Sequence, residues 1–468
     1  MVHKRQVLHA VSPSLHDERD GAHLLVWGDL AQWMVVDAEL LGFLDLFDGR
    51  RTVKAVLRQH AKRTRGAARE LEREAMAIVH ELHRRGILSE RPAPRAIGPE
   101  PPKVANVTVN LTNRCNLRCT WCYNAGRVTE EMPVAAVMDA IEQGREILEP
   151  NASFIVLGGE PLIDLDRLLY ALDRAGGLFE PAPMVSTNGT LLTDEAVAQL
   201  GRRRVEVQVS LDSHDPARHN AVRGEGVFEQ AVAGIRRLVE AGVYTIASMV
   251  YTRETVADFE PYLALAQDLG VGEARFIPMR SIGRGLEHDE ARPNQTEAFQ
   301  RLLDVLARRP EFRPLVRRDF FTILMTVCRY STPRTGCGIA RKVLFIDADG
   351  LVYPCPNHVG PEHCCGDLRT ESLASIFADA PVLRAMRERY QVSRYTRCRA
   401  CAFRYWCAGD CRGEALALTG DPLAASPHCA ELRAMIKEML WLAADGDQRL
   451  GALPTLPDGK SPVDTFVG

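Results

Sequence analysis

The sequence predicts an α/β chain: a partial (βα)6, TIM-like barrel set between a small N-terminal α+β unit and a cysteine-rich C-terminal region. Three observations predict it. Strand-like and helix-like runs alternate six times between residue 104 and about residue 309, which implies a parallel sheet with right-handed crossovers. Six such units suit an open barrel better than a closed one of eight. Ten of the 13 cysteines follow residue 320, and a stretch carrying Pro92, Pro94, Pro99, Pro101 and Pro102 sets the first ninety residues apart.

Residues 1–90 open with two short strands, His23–Trp27 and Gln32–Val36, around Gly28-Asp29. A helix from Glu39 to Phe47 stops at Asp48-Gly49, and Thr52 is placed to cap a second. A third helix, from about 67 to 85, carries Leu71, Ala75, Ile78, Val79 and Leu82 at helical spacing, which predicts one buried face. Three helices with a small β-wing describe a winged helix. A linker follows over 91–103. The barrel, 104–320, has strands at 107–111, 154–157, 183–186, 205–211, 244–251 and 274–278, each leading to a helix. The C-terminal region, 321–445, ends in a helix from about 431 to 442. The tail, 446–468, holds Pro454, Pro457 and Pro462 and is expected to fray.

At 468 residues, 46% hydrophobic and 25% charged, the composition is that of a globular protein of several domains. Lys plus Arg number 58 and Asp plus Glu 61, a net charge of -3, so the basic excess of a nucleic-acid binder is missing. No apolar run is long enough to span a membrane. The first ten residues, Met1 to Ala10, lack an apolar signal core, which predicts a cytoplasmic protein. An odd count of cysteines in a reducing compartment points to metal binding or thiol chemistry rather than disulfides.

The first barrel strand runs into Cys115, Cys119 and Cys122, spaced CxxxCxxC. Three thiolates on one tight loop suit a soft metal site, either a zinc loop or a [4Fe–4S] cube with one iron left open. Later strands also end in small or polar residues, where a barrel keeps its chemistry: Gly158-Gly159-Glu160-Pro161, Ser186-Thr187-Asn188-Gly189 and Ser210-Leu211-Asp212. These residues, with Trp121 before the last cysteine, resemble the radical SAM family over about 104–310. The resemblance implies that Cys115, Cys119 and Cys122 hold a [4Fe–4S] cluster whose open iron chelates S-adenosyl-L-methionine. It implies Gly158, Gly159 and Glu160 at the methionine ammonium, and Ser186, Asn188, Ser210 and Asp212 at the ribose and backbone. Arg223 would meet the carboxylate, and Trp121 the adenine. It further implies a 5′-deoxyadenosyl radical that abstracts hydrogen from carbon.

The remaining pattern is Cys337, Gly350, Cys355, then Cys398, Cys401, Cys407, Cys411 and Cys429. A zinc site consumes four ligands, so seven spaced cysteines fit two four-ligand sites better than one. The pattern resembles the SPASM extension of peptide-modifying radical SAM enzymes. The resemblance implies two auxiliary iron–sulfur clusters, the second held by Cys398, Cys401, Cys407 and Cys429, the first by Cys337, Cys355 and Cys411. Cys328 is the first candidate for the missing ligand, with Cys364 and Cys365 as alternatives. Sulfatase-maturating members carry Asp after the cysteine matching Cys355; here Pro356 stands there, which argues against formylglycine formation. His358 is a weak candidate base.

The Trp33-Met-Val-Val strand, the Asp48-Gly-Arg-Arg-Thr-Val turn and the Arg84-Arg-Gly-Ile-Leu end resemble the peptide chaperone of pyrroloquinoline quinone biosynthesis, the usual RiPP recognition element. That resemblance implies a precursor peptide as partner, its leader bound by residues 1–90 as an added strand. An external donor such as flavodoxin or ferredoxin would supply electrons. The expected function is therefore radical modification of a ribosomal peptide, giving a thioether or carbon–carbon crosslink or a related oxidation. The alternatives are a small-molecule or tetrapyrrole substrate, and an iron–sulfur sensor that binds DNA through the winged helix.

Overall fold

The computed structural model describes residues 2–63, 68–91, 97–127, 130–447 and 449. Most of the expected tail and part of the expected linker lie outside these residues.

Six strands run through the N-terminal unit: β1 (Val7–Ala10), β2 (Leu15–Arg19), β3 (Ala22–Trp27), β4 (Gln32–Val36), β5 (Asp48–Thr52) and β6 (Leu88–Ser89). They form two antiparallel sheets, in the orders β5-β1-β6 and β2-β3-β4. Helices span Ala38–Leu44, Val53–Arg63 and Ala68–Arg84. The first begins where the Asp37 carboxylate accepts the Leu40 N–H at 2.8 Å. On the third helix Ala75, Val79 and Leu82 are buried as expected, but Ile78 is 38% exposed. Ile78 sits at the margin of the stripe, where helical spacing no longer decides burial. Leu71 lies outside the residues whose side chains are described.

β3 is apolar on both faces because both are covered. Leu25 and Trp27 join the core of the N-terminal unit, while Leu24 and Val26 join the core of the rest of the chain. The second face docks on the C-terminal helix Cys429–Ala444. Asp17 accepts from Lys437 (2.9 Å) and from Trp441 Nε1 (3.0 Å), and Arg19 pairs with Glu438 at 2.7 Å. The β3–β4 turn seats on the backbone beside Cys401. A side chain on Gly28 would stand 2.7 Å from the Ala402 carbonyl oxygen, and Asp29 pairs with Arg404.

The barrel strands are β7 (Val104–Asn110), β8 (Leu148–Leu157), β9 (Met184–Thr187), β10 (Glu206–Ser210), β11 (Tyr244–Tyr251) and β12 (Glu273–Pro278), all parallel and in sequential order. The partial barrel is therefore as expected. The sheet does not stop there. β13 (Val343–Ile346) adds in parallel beside β7, and β14 (Leu351–Tyr353) and β15 (Gly366–Asp367) follow antiparallel, giving nine strands. The cysteine-rich region is thus built onto the barrel's first strand. The helix Phe320–Tyr330, apolar along nearly its whole length, packs against Cys429–Ala444. No helix among the described residues is long and apolar enough to cross a membrane.

Candidate functional site

The loop after β7 carries Cys115, Cys119 and Cys122, and almost every strand end around it is tied to it. From the end of β8, the Gly159 N–H donates to the Thr112 carbonyl and the Glu160 N–H to the Arg114 carbonyl, both at 2.8 Å. Gly158 (φ +139°) and Gly159 are glycines for that reason, since a Cβ on either would enter the carbonyl oxygen of Thr112 or Arg114. The close approach they permit is between two loops of the chain itself. From β9, Asn188 Nδ2 donates to Asn116 Oδ1 at 2.9 Å, and Asn116 Nδ2 to Thr190 Oγ1 at 2.8 Å. Beyond β10, the Thr120 N–H donates to the Val222 carbonyl at 3.0 Å. Beyond β12, Arg284 Nε donates to the Cys119 carbonyl at 2.9 Å, and its N–H to the Cys122 carbonyl at 3.1 Å.

Glu160 is fully buried. Its carboxylate accepts from Thr187 Oγ1 and the Asn188 N–H, each at 2.7 Å, and from the Leu162 N–H at 3.1 Å. Burial pushes its pKa up against those donors. Arg223 and Asp212 form a bidentate pair (2.7 and 3.1 Å), and a third guanidinium nitrogen faces Cys119 Sγ at 3.9 Å. Burial works against the Arg223 charge, but Asp212 together with Cys119 and Cys122 outweighs it and raises the guanidinium pKa. Ser186 accepts weakly from Gln208 at 3.4 Å, and Ser210, at the end of β10, is half-buried. Trp121 meets His288 edge-on at 6.3 Å, and its buried Nε1 has no partner among the described residues. Cys115 is exposed and Cys119 and Cys122 are half-buried, so this end of the barrel opens outward.

In the C-terminal region Cys355 lies within electrostatic reach of Cys411 and Cys337, Cys398 of Cys401 and Cys429, and Cys407 of Cys398, while among the described residues no three or more His, Cys, Asp or Glu side chains stand in a metal-holding arrangement. Burial pushes the Cys355 thiol up, and Cys411 and Cys337 add to that. Burial takes Cys398 up to about 11; Arg412 opposes, while Cys401 and Cys429 add. Cys407 is raised by burial, with Cys398 contributing. Several of these sulfurs already receive donors. The Asn357 N–H reaches Cys355 Sγ at 3.5 Å and Asn357 Nδ2 reaches Cys411 Sγ at 3.7 Å. The Phe403 N–H reaches Cys401 Sγ at 3.4 Å, and the Glu414 N–H reaches Cys411 Sγ at 3.5 Å. At the barrel mouth the Leu117 N–H does the same for Cys115 Sγ at 3.4 Å. N–H groups aimed at sulfur suit thiolates under an iron–sulfur cluster, whose potential such bonds set.

Cys328 is fully buried in the helix Phe320–Tyr330, and its carbonyl accepts from Trp33 Nε1 at 2.7 Å. Its thiol shares Arg334 as a charged neighbour with Cys337 and Cys407. Cys364 and Cys365 stand beside β15, where burial pushes Cys365 up to about 12 with Cys364 adding. His358 is buried, with Nε2 3.4 Å from the Tyr390 hydroxyl, and burial lowers its pKa to about 3, which keeps it neutral.

A model of the radical SAM superfamily matches residues 109–266, and a model of the SPASM iron-sulfur cluster-binding domain matches 337–402. Mycofactocin maturase MftC of Mycolicibacterium smegmatis is 30% identical over 359 residues, covering 74% of this chain and 88% of that protein. The chain belongs to the radical SAM superfamily. AdoMet-dependent heme synthase of Methanosarcina barkeri is 26% identical over 340 residues, covering 68% of this chain and 94% of that protein. In fold, the chain is similar to Streptococcus suis SuiB bound to S-adenosylmethionine, with a TM-score of 0.59 at 15% identity over 89% of this chain and 98% of that one. This is therefore a radical SAM enzyme of the SPASM type, using S-adenosylmethionine and iron–sulfur clusters.

Two arginines join the radical SAM and SPASM regions and a third holds the first cysteine loop, and none of the three stands out in the sequence. Arg284, between Gly283 and Gly285, clasps the first cysteine loop as described. Arg127 donates to the Pro356 carbonyl at 2.8 Å and faces Asp347 at 3.4 Å, and Asp347 in turn accepts from Asn113 (2.9 Å) and Asn110 (3.2 Å). Arg127 therefore ties the loop of Cys122 to the turn of Cys355. Arg280, just past β12, pairs with Glu414 at 2.7 Å and Asp410 at 3.2 Å beside Cys411. Arginine is too common here for these to stand out. The one available signal was the Gly283-Arg284-Gly285 triplet in the loop after β12.

Proposed function

We propose that the enzyme modifies a ribosomally made precursor peptide, bound by its leader on residues 1–90 and altered at the barrel mouth. In this reading Cys115, Cys119 and Cys122 hold the catalytic cluster. Glu160, Arg223, Asp212, Ser186, Asn188, Ser210 and Trp121 shape the S-adenosylmethionine site. When bound, that pair supplies a 5′-deoxyadenosyl radical by one-electron cleavage of the sulfonium. Cys398, Cys401, Cys407 and Cys429 hold one auxiliary cluster, and Cys337, Cys355 and Cys411 hold the other. The chain's own residues fix the cysteine loop against five strand ends and leave Cys115 facing outward, where a substrate can enter.

The observation that carries the peptide reading is the docking of the N-terminal unit. Its turn at Gly28-Asp29 rests on the Cys401–Arg404 segment, so a peptide held there is tethered beside the redox centres at high local concentration. β2 and β4 each pair on one side only among the described residues, which leaves an edge for strand addition. Two relatives support the substrate class: the maturase MftC, and SuiB, which has been crystallised with its precursor peptide SuiA. All 13 cysteines are free, which suits a reducing cytoplasm and an external donor of the flavodoxin or ferredoxin type. The heme synthase relative favours a second reading, a tetrapyrrole or other small-molecule substrate.

The test is anaerobic incubation of reconstituted full-length enzyme with S-adenosylmethionine, a reductant and small cysteine-rich or aromatic-rich peptides encoded beside its gene. We expect 5′-deoxyadenosine together with a peptide that has lost a pair of hydrogens, and neither product from Cys115→Ala. Cleavage that persists with all three loop cysteines replaced would falsify the cluster assignment. Equal turnover of a core peptide without its leader would move the reading to the small-molecule alternative.

A further inference from the structure

Tyr395 is a buried phenol that the fold leaves without an acceptor. The residue is 1% exposed, and its hydroxyl has no hydrogen-bond partner among the described residues. Buried hydroxyls are ordinarily satisfied, and an orphan calls for an explanation such as a group that belongs in the site. The contrast with Tyr390 is local: five residues earlier, that hydroxyl meets His358.

The surroundings say what the missing acceptor is. The Tyr395 carbonyl accepts the Arg399 N–H at 3.0 Å and so opens the turn that starts at Cys398. Three residues before Tyr395, the Val392 N–H donates to the Thr335 carbonyl at 2.9 Å, and a side chain on Gly336 would stand 2.7 Å from the Tyr390 carbonyl, which lays this segment along the approach to Cys337. On the other side Gly409, between Cys407 and Cys411, closes on the ring so tightly that a Cβ would lie 2.6 Å from it. The Arg412 guanidinium covers the ring at 4.9 Å. The phenol is thus enclosed by the segments that carry cysteines of both auxiliary sets. Burial, then the charge of Cys337, push its pKa up, so the group remains a donor at any ordinary pH.

We infer that the Tyr395 hydroxyl donates a hydrogen bond to a sulfur of the auxiliary cluster held by Cys337, Cys355 and Cys411, and so sets that cluster's reduction potential. The inference rests on the reading of those cysteines as cluster ligands. A donor to sulfur stabilises the more negative, reduced cluster, so its removal lowers the potential. Tyr395 is a tuning residue: it touches neither the reacting carbon nor S-adenosylmethionine.

The test is Tyr395→Phe in the full-length reconstituted enzyme, read by iron content and by redox titration followed by electron paramagnetic resonance. Cys337→Ser and Cys401→Ser variants assign the two auxiliary signals. We expect unchanged iron and a midpoint shifted to more negative potential for the Cys337 cluster alone. Unchanged potentials at full iron content overturn the inference while leaving the ligand reading intact, as does a shift confined to the other cluster. Wild-type enzyme without auxiliary iron overturns both. Should the variant lose its cluster, 3-fluorotyrosine placed at position 395 alone decides. Its more acidic hydroxyl is a stronger donor, so a midpoint of the Cys337 cluster moved to more positive potential supports the inference, and an unchanged one overturns it.

Discussion

The two cysteine regions are held by different physics. The loop of Cys115, Cys119 and Cys122 is open on one side and fixed largely through backbone and neutral amides: the carbonyls of Thr112, Arg114, Cys119 and Cys122, and the side chains of Asn116 and Asn188. The C-terminal set sits among buried charges. Arg280, Asp410, Glu414 and His428 form one network beside Cys411 and Cys429, and Arg334 and Arg412 lie close by. A centre that must admit a substrate has to be open, and here backbone holds its loop while the buried Glu160 and the Arg223–Asp212 pair stand beside it. A centre that only exchanges electrons can be sealed, and then its charged surroundings must be paired.

The largest effect expected from this contrast is at Arg280. Replacing it with Met leaves the buried Asp410 and Glu414 with only His428 and Arg412 as nearby cations, a loss of about 3 kcal/mol. Arg284→Met at the mouth removes the one side-chain bond, to the Cys119 carbonyl, keeps the backbone bond to Cys122 and strands no carboxylate, which predicts a loss of about 0.5–1.5 kcal/mol. Thermal unfolding of the two anaerobic holoproteins compares them directly. Equal losses would break the distinction between a charge-held and a backbone-held region.

Glycine gives a second comparison, within the barrel alone. Gly159→Ala forces a methyl group into the Arg114 carbonyl at the loop contact and should cost about 1–3 kcal/mol, along with affinity for S-adenosylmethionine. Gly176→Ala, in the helix Leu165–Leu178, meets nothing within 4 Å and should gain about 0.5–1 kcal/mol from helix propensity. Unfolding midpoints and equilibrium ligand binding read both effects. A Gly159→Ala enzyme with unaltered affinity would mean that the loop contact does not shape the ligand site.

How far the sequence was legible follows the same division. The barrel strands could be read because short runs rich in β-branched residues alternate with helical segments, and β11 falls at the residues expected, Tyr244–Tyr251. Short strands were expected among the C-terminal cysteines, but β13 could not be placed in the barrel sheet, because it pairs with β7 across more than two hundred residues and such pairing leaves no local mark. The helix Phe320–Tyr330 was missed for another reason: buried at every position from Phe321 to Cys328, it lacks the exposed polar face that marks a surface helix. Within the site, cysteine spacing and the Gly-Gly-Glu turn were plain, since metal and close backbone contact restrict residue type. The buried pairs Arg127–Asp347 and Arg280–Glu414 were not, because each joins common charged residues far apart in sequence.

The smallest effect concerns two histidines with opposite signs. His428, in the C-terminal network, lies 3.5 Å from Glu414 and 3.3 Å from Glu431. Burial opposes its charge, but the close Glu414 carboxylate and the charge of Asp410 prevail and raise its pKa above 6.5. Its stabilisation is therefore complete below about pH 6.5 and is lost as the pH rises through the raised folded value. His219, behind the barrel mouth, accepts the Asp212 N–H at 3.1 Å, and burial lowers its pKa to about 4. Its neutral form is the folded one, so stability falls as the pH drops from about 6.5 towards 4. The melting gap between wild type and His428→Gln should thus narrow from about pH 6 to about pH 9, while the gap for His219→Gln stays flat over that range. A flat His428 gap would show that the ion pair with Glu414 does not persist in the holoprotein, and the charge-held description of that region would then rest on Arg280 alone.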